Sequence, residues 1–84
     1  MARARAPQKP HTVHETELHR AERHVYDGEK RVARQRQIVD ELRDDGLAYG
    51  VADNLLTLYE TALLLRIRHL ERILRARDER LARD

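Results

Sequence analysis

The chain has no cysteine, no tryptophan and no phenylalanine, and three tyrosines are its whole aromatic content. Without cysteine there is neither a disulfide framework nor a thiolate metal site, and the expected compartment is the reducing cytoplasm. Without large aromatics, any core must be built from Leu, Val, Ile and Ala. Long apolar runs are missing too. The stretch ending at Leu65 is stopped by Arg66, far short of the roughly 18 residues that cross a bilayer, so no membrane role is expected. There is no glycine-rich phosphate loop, and the hydroxyls of Thr12, Thr16, Thr57 and Thr61 lack a His and acid frame that would activate a nucleophile. We therefore expect no catalytic activity and no cofactor.

What is present is an even mixture: 40% hydrophobic and 38% charged residues, with a formal net charge of only +2 over 84 residues. That length allows one small domain, which covers a modest share of its own surface, so help from a partner chain is expected. The start, MARARAPQKPH, holds both prolines, three basic groups and no acid. It lacks the apolar centre of a secretory signal and reads as a flexible basic arm over residues 1–11.

Residues 12–84 read as an all-α hairpin. Thr12 to Glu15 spells T-V-H-E, a capping box in which the threonine oxygen accepts from the first turn and Glu15 reaches back. Leu18, Val25, Val32 and Val39 recur every seven residues, and Ala21, Gly28, Gln35 and Leu42 follow each by three. This is the a/d pattern of a packed, coiled-coil-like seam. It predicts one helix from about 12 to 45, running through Gly28 with unchanged phase, at a cost of up to about 1 kcal/mol for the glycine. D-D-G-L should end it, with Gly46 in the left-handed position and Leu47 folding back on the last turn. After a turn over 46–50, a second helix is expected from about 51 to 83, antiparallel to the first.

The two stripes differ in width. On the second helix Leu55, Leu56, Leu58, Tyr59, Ala62, Leu63, Leu65, Ile67, Leu70, Ile73 and Leu74 cover about 200° of the wheel, twice what one neighbouring helix covers. In an isolated hairpin several of Leu56, Leu63, Ile67, Leu70 and Leu74 would face water, each forgoing about 1.5–3 kcal/mol of burial. We expect these five to form a homodimer interface, giving a four-helix bundle with the second helices central.

Gly28, Gln35, Arg66 and His69 are the expected helix-packing residues. A register centred on the turn sets Gly28 near His69, Gln35 near Ala62, and Val32 near Leu65 and Arg66. Arg66 sits in the broad apolar face between Tyr59 and Ile73 and needs volume and a partner. Gly28 supplies volume for Arg66 or His69, and Asp27 or Glu29 offers charge.

The five histidines do not assemble a convincing metal site. His14, Glu15 and His19 form H-E-x-x-x-H, one residue longer than the spacing that puts two histidines on one helical face. His11, Glu15 and His19 share a face, but His11 lies at or before the cap. His24 and His69 are a candidate pair, in the hairpin or across the dimer, for a metal or pH-sensitive site. The arginines suggest nucleic acid as an alternative. Arg31, Arg34 and Arg36, with Lys30, and Arg68, Arg72 and Arg75, with Arg66 and Arg77, could join Arg3, Arg5 and Lys9 in non-specific phosphate contacts. Against this, 15 Arg to 2 Lys beside abundant Ala, Leu and Asp looks like the codon bias of a GC-rich genome. Asp27 with Arg31, Glu71 with Arg75, and Glu79 with Arg83 also offer local pairing. A self-associating interaction or adaptor module is the preferred expectation, with a protein partner for its arginine-rich faces.

The run from His24 to Gln35 and Arg36, with Val25, Gly28, Glu29 and Arg31 between them, resembles a group of short uncharacterised bacterial helical-hairpin proteins with an H-V-x-x-G-E-x-R-x-x-x-Q-R motif. The resemblance extends over about residues 22–72, with His69 where the group tends to carry a late histidine. It implies a hairpin and carries no activity. The chain departs from the group at its turn, where L-A-Y-G-V replaces a more polar sequence.

Overall fold

A computed structural model describes residues 16–83 of the chain, and among them every regular element is helical. Helix α1 spans Glu17–Asp44, 28 residues, and α2 spans Gly50–Arg83, 34 residues. The basic arm expected over residues 1–11 and the capping box at Thr12–Glu15 lie outside the described residues. Within them, α1 opens on Thr16, whose backbone is extended (φ −65°, ψ 161°) and whose hydroxyl oxygen accepts from the His19 amide at 3.0 Å. Glu17 places a negative charge on the positive end of the helix dipole.

The turn follows the chemistry of D-D-G-L. Gly46 has φ 71°, the Gly46 amide donates to the Arg43 carbonyl at 3.1 Å and the Leu47 amide to that of Leu42 at 2.9 Å. These are the two bonds of a Schellman closure, which satisfies carbonyls the helix end would leave bare. Arg43 lies over the Tyr49 ring, 4.8 Å from its centroid, and so ties the loop to the last turn of α1. Helix α2 starts at Gly50, with the Asp53 amide bonded to the Tyr49 carbonyl at 2.8 Å and Asp53 as its first-turn acid.

The helices pack antiparallel: His24 meets Arg66, Arg36 meets Glu60 and Gln35 meets Ala52. All of the expected α1 seam is used. Ala21, Gly28, Val32, Gln35 and Val39 are buried, and Leu18, Val25 and Leu42 are half-buried. The core is thin. Val32, Val39 and Leu56 form its centre, with Ala52, Tyr59 and Leu63 packed against it.

The register corrects the one expected from the turn centre. Gly28 faces Leu63 and Arg66, not His69, Gln35 bonds to Ala52 rather than meeting Ala62, and Val32 shares its cluster with Leu56 rather than Leu65. The turn itself closes as D-D-G-L leads one to expect, although Leu47 stays more than half exposed. Gly28 and Gln35 nonetheless meet α2 residues nearer its start than a turn centred near residue 48 places them.

Gly46 and Gly50 should respond oppositely to alanine. Nothing lies within 4 Å of a Cβ at either position, but only Gly46 has the left-handed backbone, where a side chain costs about 1–2 kcal/mol. Gly46→Ala should lower Tm, whereas Gly50→Ala should hold or raise it through up to about 1 kcal/mol of helix propensity. Thermal melts followed by circular dichroism test the difference in sign.

Candidate functional site

The two helices are joined by a reciprocal pair of bonds from side chains to main chain. From α1, the Gln35 amide nitrogen donates to the Ala52 carbonyl at 2.8 Å, and its side chain is buried in doing so. From α2, the Arg66 guanidinium donates through Nη1 to the His24 carbonyl at 2.8 Å. Both acceptors also serve the helical ladder, since a carbonyl has two lone pairs.

Gly28 makes the second bond accessible. It is the residue whose amide closes the helical bond to His24, and a Cβ there would stand 3.1 Å from Leu63 Cδ1, 3.3 Å from Arg66 Nη1 and 3.4 Å from Arg66 Cδ. The missing side chain leaves a slot through which Arg66 crosses the seam and reaches the carbonyl edge. Arg66 thus finds a main-chain partner, where the carboxylate of Asp27 or Glu29 was expected. The dipole of one peptide replaces a buried ion pair and its desolvation penalty.

Further contacts frame this latch. Arg36 Nη2 pairs with Glu60 Oε2 at 3.2 Å across the helices, and Arg31 lies over the Tyr59 ring, 5.3 Å from its centroid. Two of the six candidate phosphate-binding arginines are therefore engaged inside the hairpin. Arg34, Arg68, Arg72 and Arg75 are exposed, with Arg72 Nη2 3.5 Å from His69 Nδ1. The expected pairs Asp27–Arg31, Glu71–Arg75 and Glu79–Arg83 do not form among the described residues, where the local pairs are Arg43–Asp40 and Arg77–Asp78.

His69 is an exposed residue beside Arg72 and takes no part in packing against Gly28. His24 contributes its carbonyl, and its side chain is exposed. No group of three potential metal ligands occurs among the described residues, and His11 and His14 lie outside them. A cleft between the start of α1 and the far part of α2 is lined by Thr16, Glu17, Leu18, His19, Ile73 and Arg77. Of these, the Thr16 hydroxyl oxygen accepts from the His19 amide and so serves as the cap of α1.

The apolar surface left over is displaced from the expected one. Leu56 is 9% exposed and belongs to the hairpin's own core, with Leu63 packed against it; Ile67, Leu70 and Leu74 are half-buried. The wet large apolar residues of α2 are Val51, Leu58, Leu64, Leu65 and Leu81, and three of them, Val51, Leu58 and Leu65, at 85%, 65% and 58% exposure, form a line. They are spaced by seven, with half-buried Leu55 and exposed Ala62 between them. The signal was Arg66: once it is placed in the Gly28 slot, Tyr59, Leu63 and Leu70, three or four residues or one heptad away, must face α1 with it. The surplus then falls on the flank through Val51, Leu58 and Leu65.

Gly28→Leu should lower stability by about 1–3 kcal/mol from overpacking, while Gly28→Ala, which gains up to about 1 kcal/mol of propensity, should sit near wild type. Gln35→Ala should cost about 1–3 kcal/mol, through a lost bond and a void. Urea denaturation of the three variants checks this; an unchanged midpoint for Gly28→Leu would refute the slot.

Comparison of the chain with protein-family models, with curated proteins and with solved structures finds no match in any of the three.

Proposed function

We propose that the protein is a self-associating helical interaction module, in which two hairpins dock through α2 to make a four-helix bundle with α2 inside and α1 outside. The carrying observation is the stripe of Val51, Leu58 and Leu65, more than half exposed at every position. It continues through Leu55 and Ala62 over about 21 Å of helix. A hairpin whose core holds only Val32, Val39 and Leu56 at its centre has little burial of its own to offset the entropy of ordering two long helices. A second copy supplies it. The role is that of a scaffold or adaptor with no catalytic step and no bound cofactor, its arginine-rich outer faces turned to a protein partner. Among the described residues no helix is long and apolar enough to cross a membrane, and the absence of cysteine supports a cytoplasmic setting.

Sedimentation equilibrium at micromolar concentration should return twice the 9.9 kDa of one chain. Leu58→Glu, with a charge at the stripe's centre, should weaken association at least about 100-fold, equivalent to about 2.7 kcal/mol. A stably folded monomer would refute the proposal.

The alternative, a non-specific phosphate binder, rests on exposed Arg34, Arg68, Arg72 and Arg75 and loses Arg31 and Arg36 to contacts within the hairpin. Gel shifts with random duplex DNA and RNA at about 50 and about 200 mM salt separate the two, because phosphate contacts are lost steeply over that range. Absence of a salt-sensitive shift is the outcome expected for the scaffold.

A further inference from the structure

From the distribution of charge along α2 and the turn we infer that the second copy docks antiparallel, with the two α2 helices crossing at Leu58 and the arginines of each meeting the acidic turn of the other. The inference rests on the dimer proposed above and deepens it by fixing orientation and register.

The heptad positions of the stripe are symmetric about Leu58. Reversed on itself, it sets Val51 against Leu65 of the second copy and Leu58 against its own copy, while Leu55 falls beside Thr61 and Ala62 beside Asn54. The three large apolar residues of the stripe thus cover one another, with a polar side chain flanking each smaller step.

Charge decides between this and a parallel pairing. The turn end of the hairpin carries Asp40, Glu41, Asp44, Asp45 and Asp53 with Arg43 as its cation, and Arg43 is occupied by Asp40 at 3.5 Å and by the Tyr49 ring. Asp44 and Asp45 are exposed, at the same turn end of the hairpin as Val51. Past its Leu65 end stand Arg68, Arg72 and Arg75, all exposed, with Glu71 as the acid among them. A parallel dimer lays Arg68 and Arg72 beside their own copies at one end and crowds both acidic turns at the other. Like charges so juxtaposed are costly. The antiparallel dimer crossing at Leu58 sets Arg66 of each chain level with the other's Gly50, so exposed Arg68, about 3 Å further on, reaches the turn end that carries Asp44 and Asp45, and both ends become attractive. The opposed helix dipoles add in the same direction.

The chain has no cysteine, so single introduced thiols report the geometry without background. Full-length Val51→Cys and Leu65→Cys are prepared separately, mixed, re-equilibrated, and treated with a short bismaleimide. In the antiparallel dimer residues 51 of the two chains stand about 21 Å apart along the axis, beyond the linker, whereas 51 and 65 are adjacent. Cross-linked product is expected only from the mixture, joining one chain of each type. Asn54→Cys with Ala62→Cys repeats the test without altering a large apolar side chain. A 51-to-51 product, or no product while sedimentation still reports a dimer, overturns the orientation and leaves self-association standing. A monomer for the wild-type chain overturns both.

Discussion

A helix can be covered over only about 100° by one neighbour, and α2 is apolar over twice that arc. The hairpin resolves half of the mismatch internally. Leu56 and Leu63, with Tyr59 and Ala52, turn toward the narrow stripe of α1, and the flank through Val51, Leu58 and Leu65 is left wet. Everything proposed about association follows from this asymmetry. An α1 with a stripe as broad would have exposed apolar surface on both helices and allowed many packings. As it is, the exposed aliphatic side chains of the helices lie on α2, while α1 exposes Tyr26 as its one large apolar group among the described residues.

The seam is held by shape and by main-chain acceptors. A buried polar group is tolerated when it is bonded; buried Gln35 and half-buried Arg66 each take a carbonyl of the opposite helix. Such bonds fix the sliding register as well as adding stability, because Gln35 has to find Ala52 while Arg66 finds the slot at Gly28. His24, Gly28, Arg31, Gln35 and Arg36 all contact α2.

Much of the fold was legible in the sequence, since heptad spacing and a helix-ending glycine are local signals. The α1 seam could be read residue by residue from Leu18 to Leu42, and Gly46 announced its own left-handed turn. The register was not legible, because it is set by contacts across the helices, Gln35 on Ala52 and Arg66 on His24, which local spacing does not mark. Rotation of α2 suffered for a related reason. A 200° face has no centre that hydropathy can mark, so Leu56 and Leu63 were assigned to a second chain when α1 already held them. A polar residue in that face is the better landmark, and Arg66 supplies it. The partner of Arg66 was missed because a carboxylate is the obvious counterpart of a guanidinium, whereas the carbonyl that receives it is exposed only by the absence of a side chain four residues further on.

The positive φ of Gly46 bears on which assembly is accessible at all. With an ordinary helical residue there, the five-residue connection could straighten and join α1 to α2 as a single rod, and each rod would then find the complementary arm in another molecule. The resulting exchanged dimer would keep the same seam contacts while trading them between chains. The reversal at one glycine thus acts as a hinge lock that pairs each arm with the other arm of its own chain.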